Sequence, residues 1–199
     1  MNVEFTWETE FDATIVLDSE ILPNKYHIII GMVTNTSDQT DQVQAFEKIK
    51  FFLKEWLQHS CFSEHDTPAS NILIEHFDQK IVQLPVQASD LIIGAALFSK
   101  LHAIADNYLI IDFVQIQSDL GSNVMYSIDG EDTFAELNNP SWTTTPWWNR
   151  SDLSTNDLEN NNPIGWADLD LETTKDKINK QKFCPTIING GKHEPHPQR

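Results

Sequence analysis

The side chains best suited to chemistry are three histidines and a cysteine between positions 59 and 76. The run His59-x-Cys61-x3-His65, with His76 further on, offers imidazole and thiolate groups of the kind zinc accepts. Structural zinc sites pair their ligands at tighter, repeated spacings, and a polar linker collects histidines on its own, so neither a resident metal nor a cofactor is expected. Serine, histidine and aspartate are all present, but no Gly-x-Ser-x-Gly elbow presents a nucleophile. Gly190-Gly191-Lys192 lacks the preceding strand and the spacing of a phosphate loop. Asp129-Gly130-Glu131-Asp132 carries too few regularly spaced oxygens for an EF-hand and reads as an acidic turn. His102 sits in an apolar helical stretch, where a histidine at a core margin usually finds a hydrogen-bond partner. No catalytic residue is assigned.

Binding chemistry is better represented. Trp142, Trp147, Trp148 and Arg150 fall in one short Pro-containing stretch, with Trp166 beyond it. Tryptophan and arginine most often carry interface energy, so these five are the candidate partner-binding residues. Docking of the same tryptophans onto their own domain uses the same physics and is the alternative.

The elements that would position these groups alternate strand and helix. Val3 to Leu17 begins with alternating Val3, Phe5 and Trp7, as in a half-buried strand that later bends or bulges. Pro23-Asn24 reads as a turn and Tyr26 to Thr34 as a central strand, so the two strands form a hairpin. From Asp41 to His59, apolar residues recur at helical spacing, with Thr40 or Asp41 as cap. Residues 62–83 are open: 63–68 connect, 72–77 fit strand or helix, and 80–84 fit a short strand. Ser89 or Asp90 caps a second helix reaching Ala105, apolar on most sides. Tyr108 to Gln117 and Asn123 to Ile128 form a strand pair across a turn. Beyond Glu131 the chain loses its period while keeping four of its six tryptophans. This predicts a compact acidic α+β domain over 1–132, an extended Trp-rich arm over 133–188 and a loose terminus over 189–199. The domain is expected to fold without the arm.

Charge narrows the function classes. Of 199 residues, 13 are Lys or Arg and 30 Asp or Glu, a net charge of −17. Residues 1–132 hold 6 basic and 21 acidic side chains, whereas 175–199 hold 6 and 2. A broad basic face for nucleic acid is excluded from the domain, because phosphate contacts need clustered Lys and Arg. The acidic start is unlike a secretory signal, the longest apolar run is too short to span a membrane, and two cysteines fit a reducing compartment. The expected location is cytoplasmic. The expected partner is another protein or a second copy, since open sheet edges and the all-round apolar second helix call for a homo-oligomer.

The order strand, strand, helix, linker, helix, strand, strand over 3–128 resembles the tunnelling fold of the 6-pyruvoyltetrahydropterin and 6-carboxytetrahydropterin synthases. Local echoes are FTWETEF near the start, KYHIIIGMV at the second strand and KEWLQH late in the first helix. The resemblance implies an antiparallel sheet with two helices on one face; a ferredoxin-like arrangement, with residues 72–77 as a strand, is the alternative. The family's chemistry does not follow. Its three zinc histidines are reduced to His27 in the triplet Lys25-Tyr26-His27, no cysteine precedes Cys61, and Gln117 lies near the place of the pterin-anchoring glutamate. The composition also resembles that of accessory proteins of large bacteriophages. The leading function is therefore a non-enzymatic interaction or assembly protein. A divergent tunnelling-fold enzyme acting on a pterin or purine-like molecule, and an acidic mimic of nucleic acid, stand beside it.

Overall fold

A computed structural model describes residues 3–35, 38–76, 80–132, 134–138, 145–156, 165–167 and 169, without the side chains of Ile74 and His76. β1 (Glu4–Leu17) and β2 (Glu20–Thr34) pair in one uninterrupted antiparallel register. Their turn is not at Pro23-Asn24 but at Asp18-Ser19, both with positive φ, the backbone that continues the strand twist through a two-residue hairpin. Pro23 sits inside β2 opposite Thr14, whose N–H goes instead to Ser60 on the other flank of β1. The missing N–H of Pro23 faces the flank where the next strand begins only at Tyr26, so no ladder bond is lost.

β5 (Leu109–Ser118) and β6 (Tyr126–Asp129) extend this hairpin, giving β1-β2-β5-β6 antiparallel throughout. On the other flank β3 (Cys61–Glu64) and β4 (Ile81–Leu84) add in parallel, and the full order is β4-β3-β1-β2-β5-β6. Helix α1 (Gln39–Phe51) continues as a π-helical turn (Phe52–Trp56), and α3 (Asp90–Ala105) follows β4. Asp38, not Thr40 or Asp41, caps α1 by accepting the Thr40 N–H; Ser89 caps α3 through the Ile92 N–H.

Both helices lie on one face, as expected. Phe46 of α1 meets Phe5 and Trp7 edge-on, and Gly94 of α3 sits against Ile116 and Ile128. The core between the layers holds Phe11, Tyr26, Ile28, Ile30, Phe62 and Val114, all essentially without solvent contact. A third helix, α2 (Pro68–His76), occupies the opposite face only beside β3 and β4, where Leu73 and Ala69 pack on Val16, Cys61 and Ile81. It overturns the ferredoxin-like alternative, because residues 72–76 are helical and β4 pairs in parallel with β3. Thr67 accepts the Ser70 N–H and Pro68 opens the first turn, a start that favours helix over strand.

The chain divides into a compact unit, Met1–Gly165, and a second, Trp166–Arg199. The boundary expected at 132 does not end the compact unit, because residues 147–155 belong to it. Among the described residues, no helix is long and apolar enough to cross a membrane.

Candidate functional site

Two of the four expected binding tryptophans, Trp147 and Trp148, are inside the protein. Trp147 and Trp148 form a short 3-10 turn on α3, 0% and 1% exposed, their rings edge to face. The cause is a residue that sequence reasoning passed over. Lys100, in the middle of α3, is fully buried, and its ammonium donates to the carbonyls of Trp147, Arg150 and Ser154 at 3.0, 2.9 and 3.2 Å. An ammonium has three N–H bonds, and each has an acceptor here. Removing these carbonyls would leave an uncompensated buried charge.

The rest of the segment seals a strand edge. Trp147 Nε1 donates to the Gln83 carbonyl at 2.6 Å, the Gln83 N–H donates to the Thr155 carbonyl at 2.9 Å, and Thr155 Oγ1 donates to the Ile81 carbonyl at 2.9 Å. Arg150 is half-buried. Its guanidinium holds Asp152 Oδ2 at 2.9 Å and Ser154 Oγ at 2.8 Å, tying the segment to itself. Burial alone would raise the Asp152 carboxyl; bonds from Ser154 and Arg150 and the charge of Lys100 instead hold it below its ordinary range. Residues 147–155 are thus a strap docked in cis. Trp142 lies outside the described residues, and Trp166 opens the second unit.

The His59, Cys61 and His65 run does not converge. Cys61 is buried in the apolar cluster beside α2, where burial pushes its thiol up, and the backbone N–H groups of His59 and His65 donate to the carbonyls of Asp12 and Leu84. The side chain of His76 is outside the described set. Among the described residues, no three His, Cys, Asp or Glu side chains are grouped as a metal site requires.

At the amino end of α3, Asp90 is 8% exposed and accepts from Ser118 Oγ with both oxygens at 2.8 Å. Burial raises its carboxyl, and Gly121 closes over it so tightly that a Cβ would overlap Asp90 Oδ2. This ties the β5–β6 turn to the helix and is structural.

The opposite face of the antiparallel strands is different. Glu4, Thr6, Glu8, Glu10 and Asp12 alternate along β1 on the side away from α1 and α3, all exposed. Beside them on β2 are Lys25 and His27, and on β5 Phe113, Gln115 and Gln117. His27 Nε2 lies 2.7 Å from Glu8 Oε1, and Lys25 pairs with Glu10, whose carboxyl is lowered by the bond from that lysine. Asp12 exchanges hydrogen bonds with the Gln58 side chain. The Phe113 ring lies over Gly31, which has no side chain to displace it. Among the described residues no helix packs on this part of the sheet. The sequence signal was available: every second residue of β1 from Glu8 to Asp12 is acidic, the mark of a strand with one wet face.

No family model and no curated protein matches the chain. Among solved structures it is similar to an uncharacterized protein from Wolinella succinogenes, at 11% identity over 65% of this chain and 99% of that one, with a TM-score of 0.49. It is also similar to a catalytic-residue mutant of 6-pyruvoyltetrahydropterin synthase from Plasmodium vivax, at 10% identity over 64% and 97% of the two chains, TM-score 0.40. The 6-pyruvoyl tetrahydropterin synthase of Caenorhabditis elegans gives 14% identity over 65% and 96%, TM-score 0.40. The synthases are of the family whose element order the sequence resembles, and the likeness is one of fold alone.

Proposed function

We propose that this chain is a non-enzymatic binding or assembly protein whose contact surface is the uncovered face of β1, β2, β5 and β6. The observation that carries the reading is the row Glu4, Glu8, Glu10 and Asp12, exposed on strands whose other face is the core. Side chains of an extended partner repeat at the same roughly 6.7 Å spacing as alternate residues of β1, so a segment with lysine or arginine at every second position fits it. Phe113, across β2 from the row and lying over Gly31, supplies an apolar contact. The compositional likeness to large-phage accessory factors makes a host or virion protein the class of partner, and a mimic of nucleic acid would meet its basic groove through this same face.

The test is binding of a synthetic decapeptide of alternating lysine and threonine, followed by fluorescence anisotropy at several salt concentrations. Saturable binding that weakens with salt, and weakens about tenfold or more in a Glu8→Gln, Glu10→Gln double variant, is expected. Absence of binding at millimolar peptide, or indifference to the double change, overturns the reading. A second reading, a divergent enzyme acting on a pterin or purine-like molecule, is favoured by one observation, the His27–Glu8 pair on the same face. Its check is whether a pterin added to the protein moves the His27 ring-proton resonances.

A further inference from the structure

We infer that the groove between α3 and β4 is a peptide-recognition site, and that a second copy of this chain can fill it with its own residues 147–155. The cis-docked strap shows what the groove reads. Lys100 takes three carbonyls, the Gln83 carbonyl takes an indole N–H, and the β4 edge takes Thr155 through both backbone and hydroxyl. Leu153 of the same strap has no solvent contact. Recognition is therefore by backbone position together with Trp147, Trp148, Leu153 and Thr155.

Two features make the site exchangeable between copies. The strap keeps its own shape through the Arg150, Asp152 and Ser154 bonds, so its fit does not depend on what precedes it. Residues 130–146, which join β6 to the strap, reach on the order of 50 Å when extended. The contacts are the same in cis and in trans, so the balance is set by tether entropy against protein concentration. At this contour length the strap's effective concentration at its own groove is of the order of millimolar. Below that the strap docks on its own chain; near it, or after unfolding and refolding, two chains exchange. A chain whose strap is off exposes the apolar surface that Trp147 and Trp148 cover, and burying that surface again favours taking a strap from elsewhere.

The test is complementation between two full-length variants. Lys100→Met disables the groove and keeps the strap; Trp147→Ala with Trp148→Ala disables the strap and keeps the groove. Mixed at about 100 µM, they are expected to form a one-to-one heterodimer by light scattering, which neither forms alone. A synthetic peptide of residues 145–156 is expected to raise the melting temperature of the Trp variant and not that of Lys100→Met. Two folded variants that give no heterodimer and no peptide-dependent shift overturn the inference. If either variant does not fold, a protease site placed within 139–144 of the otherwise native chain is cut after folding, and exchange of its strap for fluorescein-labelled peptide is followed. A strap that never exchanges under millimolar labelled peptide overturns it equally.

Discussion

Lys100, buried, and His102, half-buried, sit two residues apart on α3 and are partnered differently. The three N–H bonds of Lys100 meet three carbonyls, whereas burial disfavours the charged form of His102. Burial lowers the His102 imidazole below its ordinary value of 6.5, and the contact with the Ile111 backbone only partly opposes this. Phe98 lies edge-on to the ring, 4.8 Å between centroids, and offers no acceptor for a second N–H. With the folded value depressed, the unfolded chain binds the proton first as pH falls. Stability from this residue is complete above about pH 6.5 and is lost as pH drops from there toward the folded value. The native chain is expected to show a falling denaturation midpoint below about pH 6.5, and His102→Asn is expected to flatten that slope. Equal slopes in the two proteins, measured by urea titration between pH 5 and 7.5, would count against the assignment. Asp90 has the opposite sign. Its raised carboxyl is favoured protonated, so stability falls as pH rises above its ordinary value of 3.8 toward the folded value. Asp90→Asn is expected to gain on the native chain across that window, read as the difference between their melting temperatures from pH 3.5 to 7.

At the scale of elements, the spacing between helix and sheet is set by Gly94. A Cβ there would lie 2.6 Å from Ile128 Cδ1 and 2.7 Å from Ile116 Cγ2, both of buried side chains. Alanine is the better helix former by up to about 1 kcal/mol, yet forcing α3 off the sheet costs about 1–3 kcal/mol, so Gly94→Ala is expected to destabilise. Adding Ile128→Val removes the nearest clashing methyl, and the double variant should recover part of the loss in a chemical-denaturation cycle. Long periodic elements of this kind were legible in the sequence. Alternation announced β1, and the apolar runs announced β2 and α3, because each buries one face or all of itself. The missed elements were short and lacked a period. β3 is four residues in a sheet interior, where both faces are buried and no alternation is available. The hairpin turn at Asp18-Ser19 carries neither glycine nor asparagine, so the nearby Pro23-Asn24 drew the reading. The strap was recognised as ordered from its tryptophans, but its anchor was not. A lone lysine inside LIIGAALFSKLHAIA was the visible sign, and its three acceptors lie some fifty residues along the chain, beyond any local pattern.

On the scale of the whole molecule, the dominant quantity is the net charge of −17, nearly all of it on residues 1–132. Long-range repulsion of this kind destabilises the compact state, while ion pairs such as Lys25 with Glu10, Lys50 with Glu47, and Lys100 and Arg150 with Asp152 work the other way over short distances. Salt separates the two by range. The screening length is about 10 Å at 0.1 M, so repulsion across the domain is removed by modest salt, whereas contacts near 3 Å are only weakly affected. Alternate carboxylates along β1, roughly 6.7 Å apart, fall between these limits. The melting temperature is therefore expected to rise as sodium chloride increases from about 0.02 to 0.15 M, then to level off. Glu8→Gln with Glu10→Gln should begin at a higher melting temperature at low salt and show a smaller rise, because part of the repulsion is already gone. Both effects should be absent near pH 4.5, the isoelectric region of the sequence, where the net charge vanishes. A melting temperature that falls with salt at neutral pH would mean that the short ion pairs outweigh the excess acid. The exposed row on β1 would then be internally balanced, without the surplus charge that the proposed recognition of a basic partner requires.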